Sequence, residues 1–432
     1  MTYDNCLKEM FGLHRFGIKL GLDVIRDILN GLGNPQAKLR CIHVAGTNGK
    51  GSIASALSAI LQAAGYRVGL YTSPHLVRFN ERIRINGDPL SDDGVVEAYQ
   101  AVKSVYRGDR EPTFFEYTTA MALHAFGRSE VDWAVIETGM GGRLDATNIL
   151  APEITIISNI SIEHRFYLGD TIALIAAEKG GIIKKNTPVI TGARQKAAVE
   201  VLRRISREHN APFYRMGEHF HVRRHRNSNG ISKAFSYFGL ENRWNPMQSV
   251  LPGTHQVDNT ALVLAACEVL MRRYPAITFE AIQSGLANVH WPGRLEILPT
   301  SPCVIIDGAH NLDAARRLAE FLSEYSAGRP TTLVIGILDD KPYPAMLRAL
   351  VPLAGKVIFT RPEIDRSLPA DKLVVAALPY LKTYEIIENV GEAVLRAINV
   401  TSPENLICIA GSLYVVGEAK AALEAIAPKR AA

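Results

Sequence analysis

The chain has 432 residues, 47% of them hydrophobic, and a net charge of +5 at neutral pH; it is long enough for two or three domains with their own cores, and its charge excess is too mild to suggest a nucleic-acid partner. Cys6, Cys41, Cys267, Cys303 and Cys408 lie far apart with no paired spacing, which excludes a disulfide framework or cysteine metal cluster and leaves reduced core residues. No apolar run is long enough to span a bilayer, and Met1-Thr2-Tyr3-Asp4-Asn5 opens no basic-then-apolar leader, so the expectation is a soluble, cytoplasmic protein without membrane contact.

In chain order, strands are expected at Cys41 to Ala45, Arg67 to Tyr71, Trp133 to Glu137, Ile154 to Ile157 and Pro188 to Thr191, with helix-like stretches between several of them. That alternation is the pattern of a doubly wound parallel sheet in an α/β domain. Pro212 to about Leu251 carries short alternating runs instead and reads as a small antiparallel insertion. Within it, the basic residues from His219 to Arg226, beside Asn227-Ser228-Asn229-Gly230, read as a solvated hairpin tip. A helix is expected from Gln256 to Arg272, and strand-helix alternation restarts at Val304 to Ile306, Thr332 to Ile335, Lys356 to Thr360 and Leu406 to Ala410. The expected division is residues 1–294, with the insertion at about 212–251, and a smaller Rossmann-like α/β domain over 295–432.

The first strand runs into Gly46-Thr47-Asn48-Gly49-Lys50-Gly51-Ser52, and helical spacing follows from Ser52 to Ala64. Strand, glycine loop, helix is the context of a phosphate-binding loop. The glycines let successive N–H groups turn inward, the helix N-terminus adds its dipole, and Lys50 supplies a point charge. The common Walker spacing would place glycine at Val44 and a hydroxyl at Gly51, so the loop is of another subtype.

That subtype, preceded by His43-Val44-Ala45, resembles the Mur ligase superfamily, and within it the folylpolyglutamate synthase and dihydrofolate synthase family. Further segments resemble the family in the same order. They include Tyr71-Thr72-Ser73-Pro74-His75-Leu76, the run Glu137-Thr138-Gly139-Met140-Gly141-Gly142-Arg143-Leu144-Asp145-Ala146-Thr147-Asn148, Glu178-Lys179-Gly180-Gly181, Leu251-Pro252-Gly253, Trp291-Pro292-Gly293-Arg294, Asp307-Gly308-Ala309-His310-Asn311 and Gly411-Ser412-Leu413-Tyr414.

The resemblance implies a ligase that uses ATP to join L-glutamate to dihydropteroate or reduced folates, bifunctional in the bacterial manner, with one or two Mg2+ and no organic cofactor, acting as a monomer. ATP would be held by Gly46 to Ser52, Asn259, Arg294 and Asp307, and Lys50, Lys179 and His310 would be catalytic, Lys179 as a carbamate. Ser73, Glu137 and His164 would be the metal ligands. All three follow candidate strands, and ligands of open α/β sheets collect beyond those carboxyl ends. The pterin would meet Phe114, Phe115, Glu116, Tyr117, Leu144, Asp145 and Ala146, with Gly21 and Leu22 as a weaker match.

The same residues also have plainer readings. Glu137 can pair with Arg143, Ser73 can be a turn hydroxyl, His164 a loop histidine, Lys179 a surface lysine balanced by Glu178, and Phe114 and Phe115 helix core. Asp307-Gly308 can be a tight turn and Arg294 an interdomain ion pair. Two departures from the family pattern stand out. Glu163 precedes His164 where aspartate is usual, with Arg165 as a possible partner, and Pro342 follows Asp340-Lys341. A peptidoglycan-type ligase or a nucleotide-binding regulator would share the loop, but Ser73-Pro74-His75-Leu76 and Trp291-Pro292-Gly293-Arg294 favour the folate type.

Overall fold

The computed structural model describes residues 1–13, 21–225 and 233–426. They form two compact units, one of Met1–Pro74, Asn80–Val250 and Gln256–Val289, the other of His75–Phe79, Leu251–His255 and His290–Ala432.

The first unit is built on β1 (Arg40–Ala45), β2 (Val68–Tyr71), β3 (Ile83–Ile85), β4 (Asp88–Pro89), β5 (Trp133–Glu137), β6 (Ile154–Ile157), β7 (Val189–Thr191) and β8 (Phe213–Arg215). They lie in the order β4-β3-β2-β5-β1-β6-β7-β8. All pairs from β2 to β8 are parallel, while β3 and β4 add an antiparallel edge. The central strand β1 is buried from Cys41 to Ala45, as expected of a strand with helices on both faces. β3 and β4 are three and two residues long, too short to leave a periodic signal in the sequence.

A separate antiparallel sheet of β9 (His221–Arg224), β10 (Lys233–Phe238) and β11 (Arg243–Ser249) is the expected insertion. One correction applies. Phe213–Arg215, which the sequence assigns to that insertion, pairs in parallel with β7 as the last strand of the large sheet. Its three half-buried residues look alike in either setting. In the basic stretch, the His221 ring stacks on Phe238 at 4.7 Å and Arg224 pairs with Asp258 at 2.8 Å, while residues 226–230 lie outside the described residues. The small sheet is tied to the helix Thr254–Met271 through Glu268, which is 2% exposed. Its carboxylate accepts from the Tyr237 hydroxyl at 2.7 Å, the Leu240, Glu241 and Asn242 amides at 2.7, 3.1 and 2.7 Å, and Asn242 Nδ2 at 2.9 Å.

The second unit holds β12 (Glu296–Leu298), β13 (Cys303–Asp307), β14 (Thr331–Ile335), β15 (Lys356–Phe359), β16 (Tyr384–Ile386) and β17 (Leu406–Ala410) in the order β12-β13-β17-β14-β15-β16. Only β12 runs antiparallel, and a hydrophobic cluster covers each face. All five cysteines are free, four buried and Cys303 half-buried.

Candidate active site

Gly46 leaves β1 with φ of +144°, and a Cβ there would sit 1.8 Å from Ser158 Oγ, so only glycine fits. Gly49 has φ of +85°, and its Cβ would lie 2.5 Å from Asn259 Oδ1. The segment after β6 clamps the loop. The Thr47 amide donates to the Asn159 carbonyl at 2.9 Å, the Asn48 amide to Asn159 Oδ1 at 2.8 Å, and Ser158 Oγ to the Asn48 carbonyl at 2.6 Å. The helix Lys50–Ala63 starts directly after Gly49, which turns its positive end toward the loop. Gln256 Nε2 donates to Ser52 Oγ at 3.3 Å, and Asn259 Nδ2 donates to Gln256 Oε1 at 2.9 Å. Asn259 therefore reaches the loop by packing on Gly49.

Two lysines converge here. Lys50 Nζ donates to the Gly46 carbonyl at 3.1 Å and the Thr47 carbonyl at 3.3 Å, and lies 4.0 Å from Glu137 Oε1. Lys179 Nζ, 1% exposed, donates to the Gly46 carbonyl at 2.9 Å and to Glu163 Oε1 at 2.7 Å. Burial pushes the Lys179 ammonium toward losing its proton, Glu163 pulls it back, and Lys50 adds to the loss. Burial raises the Glu163 carboxyl, but Lys179 and Lys50 outweigh it and hold the pKa down at about 2. Three sequence-level pairings are corrected. Glu178 pairs with Arg143 at 2.9 Å, so it balances neither Lys179 nor leaves Arg143 for Glu137, and Glu163 takes Lys179 rather than Arg165. In the helix Ile172–Gly180, neighbours point about 100° apart, which sends residue 178 outward and 179 into the core.

Glu137, 5% exposed at the end of β5, accepts the Ser73 amide at 3.2 Å. His164 is exposed, with left-handed φ of +45°, at the start of the helix Arg165–Leu168. Among the described residues, no group of three or more His, Cys, Asp or Glu forms a metal cage. The carboxylate of Glu137 and the hydroxyl of Ser73 are nonetheless hard oxygen donors beside a phosphate loop. That donor set suits Mg2+, which takes one or two carboxylates together with phosphate oxygens.

Several expected pterin contacts have structural work. The Phe114 ring is buried, with centroid 5.8 Å from Phe11 and the Arg82 guanidinium 5.1 Å away. Phe115 is half-buried, and its ring would be 2.5 Å from a Cβ at Gly139. Glu116 is also tied up within the fold: 2% exposed, it accepts the Thr113 amide at 2.8 Å and hydroxyl at 2.9 Å and a two-pronged pair from Arg110 at 2.7 and 3.1 Å. It closes the capping box of the helix Phe114–Arg128. The Tyr117 hydroxyl donates to the Tyr99 carbonyl at 3.0 Å. Asp145 is buried, its oxygens accepting the Met140 amide at 2.9 Å and the Thr147 hydroxyl at 2.6 Å. Ala146 is buried beside it, Leu144 is half-buried, and Gly21 and Leu22 lie half-buried just before the helix Asp23–Gly31.

In the second unit, Asp307 accepts the Leu295 amide at 2.8 Å and the Ala309 amide at 2.9 Å. Burial raises its pKa and Arg294 opposes that rise. Arg294 donates to the Gly308 carbonyl at 3.4 Å, and His310 Nδ1 lies 2.8 Å from the same oxygen. The segment leaving the strand at Asp307 thus gathers Arg294 and His310 around the Gly308 carbonyl, and Asp307-Gly308 forms no tight turn.

The Mur ligase middle domain family matches residues 44–267 and the Mur ligase glutamate ligase domain family matches residues 293–413. A dihydrofolate synthase/folylpolyglutamate synthase of Bacillus subtilis is 35% identical over 430 residues, covering 98% of this chain and 99% of the relative. The chain belongs to the dihydrofolate synthase/folylpolyglutamate synthase family. Two solved structures of this family resemble the chain over nearly its whole length. The Mycobacterium tuberculosis folylpolyglutamate synthase complexed with ADP has a TM-score of 0.90 at 32% identity, covering 99% of this chain and 100% of that one. The Escherichia coli FolC in complex with DHPP and ADP has a TM-score of 0.89 at 29% identity, covering 98% of each. Against the family's pattern, the residues that sequence reasoning leaves without a role are Ser158, Asn159 and Gln256, the loop's braces. Ser158 and Asn159 follow β6 as Gly46 follows β1, a signal usable only once the two strands are known to be neighbours.

Proposed function

We propose that this chain is an ATP-dependent carboxylate-amine ligase that adds L-glutamate to dihydropteroate and to reduced folates. The observation that carries this is the braced loop Gly46–Ser52 with Lys50 curled over it and Glu137 4.0 Å from the ammonium. In the reaction, a carboxylate oxygen of the acceptor takes the γ-phosphoryl group of ATP, releasing ADP. The amino nitrogen of glutamate then attacks the acyl carbon, the phosphate departs with the bonding pair, and the nitrogen gives up a proton.

No enzyme nucleophile is required. The loop amides and Lys50 hold and neutralise the phosphoryl oxygens, and the preformed alignment removes much of the entropic barrier. Glu137, Ser73 and His164 are the residues that would hold Mg2+, whose chemistry when bound is to neutralise charge on the phosphates. Asn259, Arg294 and Asp307 are proposed nucleotide residues and His310 a catalytic one. Phe114, Phe115, Leu144 and Asp145 are proposed to shape the acceptor pocket. Lys179 is proposed as the carbamylated lysine: its ammonium first gives up one proton, and the neutral nitrogen then adds to the carbon of CO2 with loss of a second. That change requires its pair with Glu163 to open first. The working form is a cytoplasmic monomer, and among the described residues no helix is long and apolar enough to cross a membrane.

The test is ATP-dependent phosphate release with L-glutamate, comparing dihydropteroate with tetrahydrofolate. Turnover with both establishes two activities and turnover with one assigns it. Release with neither, while ATP still binds, overturns the proposal.

A further inference from the structure

A second concave site lies at the opposite end of the large sheet. The turn Pro35–Lys38 precedes β1, residues 148–152 precede β6, and residues 184–187 precede β7. They border an open cavity of about 570 Å³ at the amino ends of these strands, lined among others by Arg26, Gln36, Asn148, Lys184, Lys185 and Thr187. The phosphate loop leaves the carboxyl end of β1, so the two sites are on opposite edges.

The lining carries three cations and no carboxylate among the described residues. The nearest acid to Arg26 is Asp23 at 3.5 Å, whose side chain is 93% exposed. Lys184 is half-buried and donates to the Asn148 carbonyl at 3.0 Å and Asn148 Oδ1 at 2.8 Å, both uncharged acceptors. Burial and then the charge of Arg26 push the Lys184 ammonium toward losing its proton. An independent observation concerns Gln36. Its Oε1 is buried with no hydrogen-bond partner, while its Nε2 donates to Asn34 Oδ1 at 2.9 Å. A buried acceptor without a donor is costly unless something supplies one.

We propose that this cavity binds a small oxyanion, lying against Arg26, Lys184 and Lys185. Inorganic phosphate, a phosphate monoester and a polycarboxylate all share that chemistry. Asn148, which holds Lys184, also donates to the Arg143 and Gly181 carbonyls at 2.8 and 3.0 Å. Occupancy would therefore stiffen the segment that follows Lys179. The proposal is independent of the reaction assigned above, because it concerns binding at a different edge of the sheet.

The test uses full-length protein carrying Lys50→Ala, which weakens binding at the phosphate loop, titrated calorimetrically at low ionic strength with inorganic phosphate and, separately, with citrate. One saturable site is expected in this background. Arg26→Gln and Lys185→Gln, both at positions with exposed side chains, should each weaken it about tenfold, the worth of one charged hydrogen bond. On the otherwise native chain these two substitutions should leave turnover within about twofold. Tighter binding of phosphate assigns a phosphate ligand and tighter binding of citrate a polycarboxylate. Absence of saturable binding, or affinity indifferent to both substitutions, overturns the proposal. Lys184→Gln adds a third arm, but Lys184 also ties down Asn148, so the two exposed positions are the deciding ones.

Discussion

Lys50 and Lys179 donate to one and the same oxygen, the carbonyl of Gly46, from 3.1 and 2.9 Å. Two ammonium groups so placed repel each other, and the arrangement holds because Glu163 faces one at 2.7 Å and Glu137 lies 4.0 Å from the other. Removing Glu163 should therefore do more damage than removing both members of its pair. Glu163→Gln is expected to cost about 3–5 kcal/mol by leaving a buried ammonium uncompensated. The double change Glu163→Gln with Lys179→Met should recover more than half of that. Urea unfolding of Glu163→Gln, Lys179→Met and the double variant checks it, and simple additivity would show that the pair is not coupled.

Lys50→Ala tests the phosphate loop. Turnover is expected to fall by about 10²–10³, the usual effect of deleting one transition-state donor, with a melting temperature close to that of the parent. Steady-state kinetics together with a thermal melt separates this from misfolding. Near-normal turnover would remove Lys50 from the chemistry.

Glu116 makes the opposite prediction. Its carboxylate serves Thr113 and Arg110, so Glu116→Ala should destabilise the fold by about 1–3 kcal/mol. The KM for the pterin substrate should stay within about twofold. A tenfold rise in KM with unchanged stability would restore it as a pterin contact.

Gly46→Ala places a methyl group where Ser158 Oγ already sits, 1.8 Å away. Loss of ATP binding is expected, with partial recovery when Ser158→Gly is added, and equilibrium binding of a nucleotide analogue measures both. Failure of the second change to help would mean that the backbone angle, and not the clash, dictates glycine here.

His43 gives the molecule an acid limit. It is fully buried on β1, with Nε2 2.8 Å from the Thr147 hydroxyl and Nδ1 unpartnered. Burial, and then Lys184, lowers its pKa from 6.5 to about 3. Below pH 6.5 the unfolded chain gains a proton that the folded chain refuses, so stability falls with pH until about 3. The slope is about 1.4 kcal/mol per pH unit. Between pH 6 and 4.5 the parent should lose about 2 kcal/mol more than His43→Val, measured by urea unfolding at each pH. Equal losses would rule His43 out as the cause.

The loop, the buried parallel strands and the two α/β halves are legible in the sequence because each is local. Glycine, lysine and serine in one heptad state a backbone path, and runs such as Trp133 to Glu137 state burial. What escapes is set by distance along the chain. Asn159 braces Thr47 and Asn48 across more than a hundred residues, and Gln256 reaches Ser52 across two hundred and four. Adjacency also misleads. Arg165 and Glu178 are the near neighbours that the sequence offers to Glu163 and Lys179, whereas helix geometry pairs those two with each other. The segments His75–Phe79 and Leu251–His255 belong to the second unit although neither differs in composition from its surroundings.

The five donors gathered by Glu268 make the helix Thr254–Met271 a shared shaft. One end carries Gln256 and Asn259 against the phosphate loop, and the other grips the turn between β10 and β11. Each end of this helix is thus held by side-chain hydrogen bonds to a different part of the same unit. The small sheet is thereby a pointer fixed to the glycine loop, and slowed solvent exchange at the Leu240 and Asn242 amides would register events at Gly49 without a probe being placed anywhere near it.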